Sequence, residues 1–93
     1  MIAIDIKPKV IKFIKLLPPK HQRQIKDHIL NLGKNPIPHD SKKLIGYENY
    51  RRTDIGEYRI VYEHRADKNL VMILIVGKRN DGAVYRVAKR SLK

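Results

Sequence analysis

Residues 50–64 read YRRTDIGEYRIVYEH, and this stretch decides the fold. Tyr58, Ile60 and Tyr62 alternate with Arg59, Val61 and Glu63, the period of a strand with two distinct faces. Tyr50 to Ile55 forms the strand before it, and Gly56-Glu57 supplies the tight turn between the two. Downstream, Asp67-Lys68-Asn69 turns the chain again and opens the run LVMILIV, Leu70 to Val76. That run is apolar at both parities, so it is expected to be the central strand, covered on both faces. It ends in GKRNDGAVY (residues 77–85), where Lys78 and Arg79 stand at the mouth of the strand. Asn80-Asp81-Gly82 makes a further turn and Tyr85 follows; the basic stretch Val84 to Ser91 is too short to predict a helix.

The N-terminal half has a different period. Ile2, Ile4 and Ile6 alternate with Ala3 and Asp5 as in a half-buried strand, and Lys7-Pro8 breaks the pattern. Pro8 suits a first helical turn, where its missing N–H costs nothing. Val10, Phe13, Ile14 and Leu17 then follow at i, i+3, i+4, i+7, one apolar helix stripe. Pro18-Pro19 ends that helix and opens a second, whose stripe is Ile25, Ile29 and Leu32 with His28 on the same side. Gly33 suits a C-terminal cap, and Asn35-Pro36 confirms the stop. Residues 34–49 carry no sustained period and read as a surface connector. The order β-α-α-β-β-β predicts an α+β fold: a small antiparallel sheet with an N-terminal helical hairpin packed on one face, and the other face partly open.

Length and composition bound the function. The 93 residues make one domain, 1–93, with one modest core, and an apolar fraction of 42% is enough to fold it. The longest apolar run falls far short of the roughly 20 residues that span a bilayer, and MIAIDIKPK lacks the apolar segment of a signal peptide. With no Cys there is no disulfide frame or thiolate chemistry. A cytoplasmic protein without a membrane partner is the simplest expectation. Against 9 Asp and Glu stand 21 Lys and Arg, a formal charge of +12. Such self-repulsion adds nothing to fold stability and points to a polyanionic partner: nucleic acid, an acidic protein, or both in turn.

Five cations lie in or at the ends of the predicted strands: Arg51, Arg52, Arg59, Lys78 and Arg79. One alone would be read as edge protection. Five on a small sheet beside Tyr85 suit a phosphate chain whose bases can be splayed and stacked. The lysines of the two helices are read as a solvated face. The four His lack metal-ligand spacing, and no nucleophile elbow, P-loop or Rossmann glycine pattern occurs, so neither a metal nor a cofactor is expected.

The segments KKLIGYENYRRTDIGEYRIVY (residues 42–62) and VGKRNDGAVY (residues 76–85) resemble the RelE branch of the RelE/ParE toxin superfamily, and the likeness extends over nearly the whole chain. The resemblance implies the toxin of a type II toxin–antitoxin pair: a metal-independent endoribonuclease that cuts messenger RNA on the ribosome and is silenced by a cognate antitoxin. It gives Arg59 the role of phosphate-binding arginine, Arg79 that of leaving-group or transition-state arginine, and Tyr85 that of a ring that stacks on or positions the nucleotide. Arg52 completes the catalytic set, with Arg51, Lys78 and Lys43 as substrate-binding cations. Asp54 departs from the pattern by standing where the family's second strand-borne cation usually stands. The general base is then not in its usual form; Arg51 or Lys78 could replace it, and Asp54 is read as orienting Arg59 rather than taking a proton, because an Asp flanked by arginines is a weak base. The implied partners are an acidic antitoxin, the ribosome and messenger RNA, with the toxin alone a monomer. A ParE-like gyrase poison on the same fold, which cuts no RNA, is the nearest alternative, and a non-enzymatic nucleic-acid-binding module is the next.

Overall fold

The computed structural model describes residues 2–47, 49–79 and 86. Their elements follow in the order β1 (Ala3–Ile6), α1 (Pro8–Lys15), α2 (Pro19–Lys34), β2 (Lys42–Lys43), β3 (Tyr50–Ile55), β4 (Tyr58–Arg65), a single 3₁₀ turn at Ala66–Lys68, and β5 (Leu70–Lys78). Pro8 and Pro19 each open a helix in its first turn, as their fixed φ and missing N–H favour. The helices pack on one face of a single sheet of strand order β1-β5-β4-β3-β2, which is the α+β arrangement expected.

Three details of the sheet were not expected. The pairing is mixed: β1 runs parallel to β5, with Ala3 opposite Leu70 and Ile6 opposite Ile73, while the other pairs are antiparallel. Alternation in Ile2, Ile4 and Ile6 specifies which face is buried, not the direction of a neighbour that lies a whole helical hairpin away. The central strand is β4, not β5; Ile60, Val61 and Tyr62 are each 0% exposed. Finally, two residues of the connector pair with β3 as the short edge strand β2.

A register shift between Val61 and Tyr62 explains why β5 is apolar at both parities. Val61 lies opposite Ile75 and Tyr62 opposite Ile73, so Leu74 is the extra residue of a bulge. Side chains two apart, Ile73 and Ile75, thereby reach opposite faces. Ile73 joins the helix-side core with Val10, Ile14, Ile25, Ile29, Leu32, Tyr58, Ile60 and Tyr62. Ile75 joins Leu44 and Val61 in a second cluster on the far face, bordered by Tyr47, Tyr50 and Leu74.

Gly33 is not the cap of α2. The helix continues to Lys34, and the extended residue Asn35 closes it by donating its N–H to the Asn31 carbonyl at 2.9 Å. Instead, Gly33 lets the helix lie directly on β1: a Cβ there would come 2.9 Å from Ile4 Cδ1 and 3.3 Å from the Ile2 carbonyl oxygen. The Ile2 N–H donates to the Gly33 carbonyl at 3.1 Å, which fixes that approach.

Polar side chains fasten the connector to the sheet. The Tyr62 hydroxyl donates to the Pro36 carbonyl at 2.7 Å, and Arg51 grips Ser41 through Nη2 to Oγ at 3.0 Å and to the carbonyl at 3.3 Å. Thr53, 1% exposed, donates to Asp40 Oδ2 at 3.2 Å and lies 3.0 Å from His28 Nε2 on α2. Because the Thr53 proton goes to Asp40, His28 is the donor in that second contact and carries its proton on Nε2. Burial pushes His28 below its ordinary value, against the pull of the Asp40 and Asp54 carboxylates.

Two outcomes follow from this packing. Gly33→Ala should lie within about 1 kcal/mol of the parent, because the gain in helix propensity offsets displacement of the flexible Ile4 terminus. Gly33→Leu should lose about 1–3 kcal/mol by overpacking against β1; chemical denaturation reads both, and a Leu variant as stable as the parent would remove the close approach. For His28, the folded chain binds a proton less readily than the unfolded chain. Its stabilising contribution is therefore complete above the unfolded value near 6.5 and is lost as pH falls below it toward the folded value. The melting temperature should drop in that window, and His28→Gln, which keeps an N–H toward Thr53, should flatten the slope; a slope left unchanged would place the proton on another group.

Candidate functional site

The sheet face turned away from the helices collects the charge. Register sets Arg52 opposite Val61 and Asp54 opposite Arg59, and alternation puts all four on that face. Arg59 closes a fork on the Asp54 carboxylate, with Nε donating to Oδ1 at 2.7 Å and Nη2 to Oδ2 at 3.2 Å. Arg79 approaches the same carboxylate, Nη1 to Oδ2 at 3.8 Å, with about half of its side chain exposed. Its backbone N–H donates to the Glu57 carbonyl at 3.1 Å, so the residue that leaves β5 is pinned to the β3–β4 turn. Gly77, directly opposite Arg59, adds no side chain there. Arg52 supplies a third guanidinium whose charge acts on Asp54, and its buried Nε has no hydrogen-bond partner among the described residues.

Three guanidiniums around one carboxylate leave an excess of positive charge on a half-buried surface. The Arg59 hydrogen bond, joined by the charges of Arg59, Arg52 and Arg79, holds the Asp54 carboxyl below its ordinary value despite partial burial. At neutral pH Asp54 is ionised and a poor proton acceptor, whereas Arg59 is held in one orientation. The arrangement can receive a phosphate: donors are fixed before an anion arrives, and the site remains cationic with its own carboxylate in place.

Of the residues read from sequence, Arg52, Asp54, Arg59 and Arg79 come together. The others do not. Arg51 lies on the helix side, spent on Ser41. Lys43 pairs in register with Arg51 and Lys78 with Tyr58, so both belong to that same side. Lys42, opposite Arg52, is the exposed lysine on the cationic face, and sequence reading missed it. Only the pairing of a two-residue strand in an aperiodic connector assigns its parity. Tyr85 lies outside the described residues.

Among the described residues no helix is long and apolar enough to cross a membrane. The family model for the ParE toxin of type II toxin–antitoxin systems matches residues 4–82. A relative from Methanocaldococcus jannaschii bearing the name RelE1 is 33% identical over 79 residues, which cover 82% of this chain and 88% of that one. The fold is similar to that of RelE in the archaeal RelE–RelB complex of Pyrococcus horikoshii, with a TM-score of 0.77 and 26% identity over 86% of this chain and 97% of that one. It is also similar to isolated Escherichia coli RelE, with a TM-score of 0.74 and 22% identity over 100% of both chains. With the matched family model spanning β1 to the end of β5 and beyond, the chain belongs to the ParE-toxin family, and is a RelE-like toxin of the RelE/ParE superfamily of type II toxin–antitoxin systems.

Proposed function

We propose that this toxin is a metal-independent endoribonuclease that cleaves messenger RNA on the ribosome. The observation that carries the reading is the cluster of Arg52, Arg59 and Arg79 around Asp54 on the open sheet face. In the reaction, a ribose 2′-oxygen attacks the adjacent phosphorus and the bond to the 5′-oxygen breaks. The products are a 2′,3′-cyclic phosphate and a 5′-hydroxyl, with one proton leaving the 2′-oxygen and one reaching the 5′-oxygen. No protein nucleophile is needed. What the protein must supply is in-line geometry and positive charge where the phosphorane develops. Arg59 and Arg79 take the phosphoryl oxygens, Arg52 adds charge, and Asp54, by holding the Nε and Nη2 edge of Arg59, fixes the orientation of its guanidinium. Tyr85, in the family's role, holds the base. A site with no strong base at neutral pH accounts for reliance on the ribosome to bend the RNA into line.

The partner in this reading is an acidic antitoxin. The toxin relatives from P. horikoshii and E. coli were each crystallised with a RelB antitoxin. On this chain a groove lined by Ile4, Ile6, Ile11 and Leu30, with Lys15 and Lys26 beside them, offers apolar area and matching charge to an acidic amphipathic segment. Two features favour a second reading, a gyrase poison of the ParE type: the matched family model is the one for ParE, and Asp54 replaces a cation. Induction in cells with and without the antitoxin, followed by mapping of messenger RNA ends and a gyrase supercoiling assay, separates the two readings.

Arg59→Ala and Arg79→Ala should each cut ribosome-dependent cleavage by about 10²-fold or more, as the loss of one phosphate donor implies; both should fold, Arg79→Ala melting like the parent and Arg59→Ala somewhat lower because Asp54 loses its fork. Full-rate cleavage by both variants would remove this face from the chemistry. Asp54→Lys should cleave as well as the parent or better, and Asp54→Asn should do modest harm through a loosened Arg59. A fall of several orders of magnitude in single-turnover rate for Asp54→Asn, with the fold intact, would instead make the carboxylate the general base.

A further inference from the structure

The cationic face carries a second chemistry that the arginine cluster does not use. Tyr50, Arg52 and Asp54 alternate along β3 and so share that face. Tyr47 sits in the turn after β2, where Gly46 takes φ +85° and the Tyr47 N–H donates to the Leu44 carbonyl at 3.0 Å. The Leu44 N–H donates to the Tyr50 carbonyl at 2.8 Å, which closes the turn on the start of β3. These constraints bring the two rings together, centroids 5.7 Å apart and planes inclined by 36°. Both are half-buried, backed by Leu44, Val61 and Ile75, which are 2%, 0% and 5% exposed. The rings are thus held from behind by packed core, and Tyr50 shares its face with Arg52 and with the exposed Lys42 paired opposite Arg52.

Two phenols together, rigidly seated and flanked by cations, have the make-up of a platform for unpaired bases. We infer that Tyr47 and Tyr50 form a stacking shelf for a nucleobase of single-stranded RNA, with Arg52 and Lys42 contacting the phosphates between the shelf and the arginine cluster. Asp54 lies four residue steps along β3 from Tyr50, about 13 Å at the rise of a β-strand. The stacked base is therefore a nucleotide or two away from the scissile phosphate. Because every base has a π-face, the shelf orients the strand without selecting a sequence. This inference rests on the reading of the face as an RNA site, and its test separates the two.

The chain contains no Trp, so Tyr47→Trp introduces a single reporter at the shelf. The full-length variant is titrated with an end-labelled 2′-O-methyl RNA oligonucleotide, which cannot be cleaved, and with an abasic strand of equal length and charge. The base-bearing strand should raise label anisotropy and quench the tryptophan, while the abasic strand binds without quenching. Tyr47→Ala should weaken binding of the base-bearing strand about tenfold and leave the abasic strand unaffected. Tyr47→Leu, which keeps the apolar cover, should melt like the parent yet show the same loss. Equal binding of both strands with no quenching would overturn the shelf and leave the RNA reading standing. Failure of both strands to bind at low salt would overturn the RNA reading and the shelf with it.

Discussion

Burial of three consecutive side chains on β4 is the constraint from which the molecule is arranged. Ile60 and Tyr62 point to one face and Val61 to the other, so both faces must be covered. The helical hairpin covers the first. Among the described residues no third layer covers the second, and a few residues after β2 supply cover with Leu44, Tyr47 and Tyr50. The bulge at Leu74 completes this solution by sending Ile75 to the same patch. Cover of that kind reaches only part of the face, and the remainder is where Arg52, Asp54, Arg59 and Arg79 gather.

Guanidiniums held that close would repel one another if nothing intervened. Asp54 intervenes. It accepts the Arg59 fork and draws Arg79 to within 3.8 Å, and the depressed pKa of its carboxyl is the thermodynamic image of that cluster. In a strand that carried a cation at position 54, Arg59 would have no such anchor and the local charge would be higher still. An aspartate at this position therefore exchanges electrostatic force for orientation of Arg59. The buried Arg52 Nε has no hydrogen-bond partner among the described residues and is a donor withdrawn from water.

The local patterns were legible where side chains repeat. The stripe of Val10 and Ile14, the stripe of Ile25, Ile29 and Leu32, the paired prolines and the Gly56 turn all lie where periodicity and backbone chemistry put them. So do Arg52, Asp54 and Arg59, because alternation along a well-formed hairpin assigns faces. What depends on distant pairing was hidden. The direction of β1, the register of β2 and the bulge in β5 each require a partner strand to be known. Arg51 and Arg52 are neighbours of like charge, and nothing in composition says that one latches a connector while its neighbour lies on the face of Asp54 and Arg59. Gly33 shows the same limit: a glycine near a helix end fits a cap, and only the closeness of Ile2 and Ile4 reveals a packing contact.

The parallel contact of β1 with β5 has a consequence for the order in which the protein comes into being. Residues 3–6 have their strand partners at 70–73, so the first strand made must wait for most of the chain before it can pair. During synthesis the helical hairpin and the β3–β4 hairpin can assemble from local contacts, whereas closure of the sheet edge carries the long-loop entropy of a distant pairing and comes late. Arg79 emerges only a few residues after β1's partners. Vectorial synthesis therefore delivers Arg79 and the strand that closes onto β1 almost together, and a chain cut short before them has neither.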